Sequence, residues 1–166
     1  MNTSIDAKNR AGKIPDKWRK QAGFNLIEVL VAMSILSIGF LGLAKTQAES
    51  MRNSTNAINR SKAIFLIGNI MENMRANKAE ATTNATYITS IGTTVSYATS
   101  CQTTASCTAT QMGAFDLYQW KTALATYLPS GDGSIARNGS IFTITVRWDE
   151  SRGGNVFTQY SVTGEI

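Results

Sequence analysis

The stretch Gly23-Phe24-Asn25-Leu26-Ile27-Glu28-Val29-Leu30-Val31-Ala32 opens an apolar run that continues to Ala44, and Glu28 is its only charge. From Phe24 to Ala44 the run holds 21 residues. As a helix that is roughly 30 Å, the thickness of a bilayer's hydrocarbon core. A lone carboxylate in such a run costs on the order of 2–3 kcal/mol at the midplane, and less toward the edge. A plain anchor would carry Leu or Ala there. Glu28, near the start of the span, is therefore expected to meet a cation when subunits assemble.

The residues ahead of the run set its orientation. Residues 1–23 carry six basic side chains (Lys8, Arg10, Lys13, Lys17, Arg19, Lys20) against Asp6 and Asp16, a charge of +4, and no apolar core of their own. A secretory signal places its small-residue cleavage site beyond the apolar part. Here Gly23 precedes it, so a cut would remove the basic part and leave the apolar helix in the mature protein. The excess of Lys and Arg places residues 1–23 in the cytoplasm and everything after Lys45 across the membrane.

Gly-Phe, a small polar residue, two aliphatics and Glu, leading an apolar helix, resemble the class III signal of type IV prepilins. Asn25 stands where that pattern more often has Thr or Ser. The resemblance implies cleavage between Gly23 and Phe24 by a prepilin peptidase, and N-methylation of the new Phe24 amine. Glu28 becomes the fifth mature residue. Pairing the Phe24 amine of one subunit with Glu28 of a neighbour would satisfy both groups and set their axial register.

Composition narrows the remainder. The net charge of +5 shrinks to +1 once the leader is discounted, because 10 basic and 9 acidic side chains follow Gly23. Global charge is thus no argument for nucleic-acid binding. The chain has no histidine, which excludes His-based triads, His-ligated zinc and the commonest general base. Cys101 and Cys107 are the only cysteines. In an oxidising extracytoplasmic compartment they are expected to form a disulfide.

Beyond Lys45 helix propensity stays high and the next proline is Pro129. Ile64, Ile67, Met71 and Met74 recur at helical spacing, with Ile58, Phe65 and Ile70 nearby. These residues predict one helix from Phe24 to Lys78, roughly 80 Å long. Its first half, 24–44, is transmembrane or filament core, with any bending at Gly39 and Gly42. Its amphipathic second half, 45–78, packs on a small domain over 79–166. Residues 79–110 are Thr-rich and read as a surface loop with a possible short strand at Thr86–Ser90. A second helix is expected from Thr110 to Leu128, with Leu117, Trp120, Leu124 and Leu128 on one face. Pro129 and Ser130-Gly131-Asp132-Gly133 stop it. Alternation over Ile141–Trp148, a turn at 149–155 and a strand over Val156–Val162 predict an antiparallel hairpin. The fold class is α+β, type IV pilin-like: a long N-terminal helix on a small antiparallel sheet with a disulfide-pinned loop.

Ser37-Ile38-Gly39-Phe40-Leu41-Gly42-Leu43-Ala44, the run Ala114 to Trp120 after Cys107, Leu128 to Gly133, and Thr145-Val146-Arg147-Trp148 are together similar to minor pilins of the PilV class, the type IV pilus modification proteins. That resemblance implies a subunit acting with other minor pilins and the major pilin in priming, assembly or modification of the pilus. Prepilin peptidase, the inner membrane and the assembly platform are the further partners, with twitching motility as a readout. The domain after Lys45 would be periplasmic, then displayed at the cell surface. A minor pseudopilin of type II secretion and a DNA-uptake minor pilin share the N-terminal features; the reading favours neither, and does not include DNA as a partner. Asp116, Asp132, Asp149 and Glu150 could suggest calcium, but acids in turns are ordinary turn formers. No cofactor, metal or catalytic constellation is expected. Trp120 and Trp148 are assigned to the core.

Overall fold

The computed structural model describes residues 23–103, 106–151, 153–154 and 156–166. The leader expected over 1–23 lies, except for Gly23, outside the described residues. The chain divides into a unit ending at Lys45 and a second from Thr46 to Ile166. Helix α1 (Leu26–Ala76) runs through that boundary, and through Gly39 and Gly42, without interruption.

No proline lies between Gly23 and Pro129, so nothing in the covalent chain stops α1 early. It ends one residue before Asn77, whose φ of −115° and ψ of 42° are not helical. A short α2 (Lys78–Thr83) then follows. The expected loop over 79–110 thus begins as helix, because Glu80 and Ala81 are buried and tertiary packing outweighs the low propensity of the threonines. The inward stripe of α1 is also displaced from expectation. Asn59, Ala63, Leu66, Ile67, Ile70 and Met74 are buried, while Ile58, Ile64 and Phe65 are exposed. Periodicity found the right turns of helix; the choice among several apolar candidates per turn depended on where the domain lies.

Helix α3 (Ala109–Tyr127) opens on a capping box, with Thr108 accepting from the Gln111 N–H and the Gln111 side chain accepting from the Thr108 N–H. Phe115, Leu117, Trp120 and Leu124 face inward, and the indole N–H of Trp120 donates to the Leu66 carbonyl at 3.0 Å, tying α3 to α1. Three strands follow: β1 (Asp132–Asn138), β2 (Ile141–Asp149) and β3 (Phe157–Glu165). They form one antiparallel meander with β2 central.

Strand β1 was not expected. Its sequence Asp-Gly-Ser-Ile-Ala-Arg-Asn has little β propensity, and only Gly133 and Ile135 in it are buried. The available signal was Asn138-Gly139 ahead of an alternating run, a strong hairpin cue, and Gly139 does take a φ of +63°. In β2, Phe142, Ile144, Val146 and Trp148 point inward as expected, each contributing about 1.5–3 kcal/mol of burial. They join one cluster with the α1 stripe, Trp120, Leu124 and Tyr87. The strand expected at Thr86–Ser90 reduces to a single bridge between Thr89 and Ile135.

The loop between α2 and α3 is held at several points. Cys101 and Cys107 are disulfide-bonded with Cα atoms 5.9 Å apart. Tyr97 meets Phe115 and Tyr118 edge-on at 5.0 and 4.5 Å. Tyr87 is fully buried and donates to Asp116 at 2.8 Å; no sequence pattern marked it.

Candidate functional site: the apolar N-terminal helix

In the first unit, the described residues begin at Gly23. The chain enters α1 through Asn25, whose carbonyl accepts from the Glu28 N–H at 2.9 Å and the Val29 N–H at 3.4 Å. Glu28 lies in the first turn, where a carboxylate is favoured by the partial positive charge of the free N–H groups. The two serines of the apolar segment are satisfied inside the helix. Ser34 donates to the Leu30 carbonyl at 2.9 Å and Ser37 to Met33 at 2.7 Å. Back-bonding of this kind leaves no hydroxyl seeking water, as a lipid-facing helix requires.

The side chains around these groups are uncovered. Every residue from Gly23 to Ser54 is exposed, and the large apolar ones from Phe24 to Leu43 are between 42 % and 84 % accessible. A water-soluble protein does not leave so long an apolar surface open, and the helix is long and apolar enough to cross a membrane. Phe24 and Glu28 are therefore placed together at the start of an apolar helix. Glu28 is its sole carboxylate before Glu49, and Lys45 its first cation.

In the second unit the acids considered for calcium have other employment. Asp116 accepts from Tyr87; burial raises its carboxyl above the ordinary range, although that hydrogen bond acts the other way. Asp132 accepts from Lys121 and from the backbone N–H groups of Gly92 and Gly133. Burial alone would raise it, but these contacts prevail and it lies below the usual value. Asp149 organises the β2–β3 turn, accepting from the Ser151 hydroxyl and N–H and the Gly153 N–H. The Ser151 hydroxyl is the main reason its carboxyl is held low. Glu150 accepts from Thr158. Glu80, anchored by Thr86 and Asn84, is also held low, chiefly by the Thr86 hydroxyl. These carboxylates pin loops to helices and strands, and among the described residues no cluster of three metal-ligating side chains forms.

Two family models match the chain in tandem. The prokaryotic N-terminal methylation motif covers residues 18–44, and the type IV pilin Tt1218 model covers residues 45–118. The first spans the apolar segment with Gly23, Phe24 and Glu28. The second spans the rest of α1, then α2, the disulfide loop and the first half of α3. No curated protein and no solved structure matches. The chain is thus similar to type IV pilins over residues 45–118 and matches the N-terminal methylation motif over 18–44, alongside a long helix, a three-stranded antiparallel sheet and a disulfide. The family is structural rather than enzymatic.

Proposed function

We propose that this chain is a type IV pilin, a minor subunit of the PilV class, which primes, assembles or modifies a type IV pilus together with other minor pilins and the major pilin. Residues 1–23 act as the leader, 24–44 as the span and later filament core, 45–78 as the helix half that carries the domain, and 79–166 as the periplasmic domain. Prepilin peptidase cuts between Gly23 and Phe24, and the Phe24 amine is methylated. The methylated amine keeps its positive charge. In the low dielectric of lipid or filament core it pairs with Glu28 of an adjoining subunit, since leaving either charge alone would cost several kcal/mol.

The observation that carries this reading is the uncovered apolar segment of α1, whose one carboxylate is the fifth residue of the chain that would remain after Gly23. Mass spectrometry of the native protein tests processing: a methylated Phe24 terminus is expected, and residues 1–23 still attached would refute it. Glu28→Gln is expected to insert and be cleaved normally but to co-purify poorly with sheared pili. Deletion of the gene, with surface pili, twitching and secretion scored in parallel, separates a pilus role from a type II secretion role.

A further inference from the structure

A cleft of about 660 Å³ lies in the second unit, where the β2–β3 end of the sheet meets α3 and the Gly92–Val95 loop. That volume is within the range of ligand sites. Its lining combines hydroxyls (Thr93, Thr122, Ser130), aromatic faces (Tyr118, Phe157) and the guanidinium of Arg147.

Arg147 is unusual among these. It projects from the central strand, so its base is fixed by pairing on both sides, to Asp132 and to Gln159. Its guanidinium stacks over the Phe157 ring, 4.5 Å from the centroid. Its Nε is buried and meets no acceptor among the described residues. A buried N–H without a partner is costly, and charged donors more so. The carboxylates closest along the fold are all engaged. Asp132, directly across the strand pair, turns to Lys121 at 2.5 Å; Asp149 is bound by its own turn; Glu150 accepts from Thr158. Lys121 is used as well, by Asp132 and the Ser90 carbonyl. The cleft is therefore lined by a cation on an aromatic platform that has no carboxylate partner among the described residues and whose buried Nε lacks an acceptor.

We propose that this cleft binds an acidic side chain, Glu or Asp, presented by a partner polypeptide lying along it. A planar fork that can donate two parallel hydrogen bonds suits a carboxylate. One such cation flanked by hydroxyls and aromatic rings fits a single anion on a partly apolar chain. A nucleic acid, by contrast, needs a track of cations along its backbone. The inference rests on the globular unit alone and stands or falls separately from the Phe24–Glu28 reading.

The test uses the full chain in detergent micelles, labelled with ¹⁵N-arginine, with the Arg147 Nε–H signal assigned by its loss in Arg147→Lys. The probe is the blocked peptide acetyl-Ala-Ala-Glu-Ala-Ala-amide. It is expected to move that signal saturably, while the Gln counterpart leaves it in place. Peptide affinity, followed by the peptide's own signals, is expected to fall about tenfold in Arg147→Lys, which keeps the charge but loses the fork. Asp132→Asn frees Lys121 as a second cation and is expected to tighten binding several-fold, which a merely structural Arg147 would not produce. No saturable shift, an equal response to the Gln peptide, unchanged affinity in Arg147→Lys, or unchanged or weaker affinity in Asp132→Asn would each overturn the proposal. So would stronger binding of inorganic phosphate or of a short single-stranded oligonucleotide than of the Glu peptide.

Discussion

Two glycines show how position decides the effect of one methyl group. A Cβ at Gly133 would lie 2.6 Å from the Trp120 ring and 2.8 Å from the Thr145 carbonyl, between α3 and the sheet. Gly133→Ala is expected to destabilise the protein by about 1–3 kcal/mol through overpacking. Gly68, on the exposed face of α1, has open space where its Cβ would be. Gly68→Ala is expected to stabilise by up to about 1 kcal/mol, and chemical denaturation of the two variants in detergent checks both signs. Asp116 and Asp132 give opposite pH dependences. Burial raises the folded-state value of Asp116, so its contribution is greatest below the ordinary Asp range and is lost as pH rises through the raised value. Asp116→Asn keeps an acceptor for Tyr87 without the charge; it should raise Tm at about pH 7, with the gain vanishing near pH 3. Asp132 is held low, so its contribution is present above the ordinary range and lost as pH falls below it. In Asp132→Asn the drop in Tm on acidification should be shallower.

At the scale of elements, α3 is the most self-sufficient piece. Its apolar face, its capping box and its stop at Pro129 all lie within the segment, and expectation and structure differ by one residue at each end. Thr108→Ala removes the acceptor for the Gln111 N–H and is expected to cost about 1 kcal/mol, read as a lower denaturation midpoint. Strand β2 is legible for the same reason, a clean alternation with one face in the core. Strand β1 and helix α2 are not. Each carries two buried residues and is held from outside: β1 by its ladder to β2, and α2 by Arg137, whose guanidinium donates to the carbonyls of Ala81, Thr82 and Asn84. Nothing local in the sequence announces α2, whose carbonyls are held by a side chain 50 or more positions away; β1 has a local cue only in Asn138-Gly139, its own composition being weak.

For the molecule as a whole, the buried core consists of residues from Asn59 onward. A fragment starting at Thr46 keeps all of it and, among the described residues, sheds only exposed ones, most of them apolar. It is expected to be soluble without detergent and to melt at the same temperature as the full chain in micelles; an early or broadened transition would show that the span contributes to the domain. Reduction of Cys101–Cys107 is expected to cost about 2 kcal/mol, the entropy of so short a loop. The loop's second anchor, Tyr97 against Phe115 and Tyr118, should preserve the remaining fold, visible as retained near-ultraviolet dichroism.

The apolar segment with its single acid, and the expectation of a junction at Gly23–Phe24, were legible in the sequence alone, because length, apolarity and a lone charge are properties of consecutive residues and need no tertiary partner to be recognised. The same holds for α3 and β2, whose patterns repeat within one element. Which α1 side chains face inward, the existence of β1, the burial of Tyr87 and the unanswered charge of Arg147 were decided only by the tertiary structure. Each depends on what other segments bring to the same place: a paired strand, a helix end, or a carboxylate, Asp132, that turns toward Lys121 rather than Arg147.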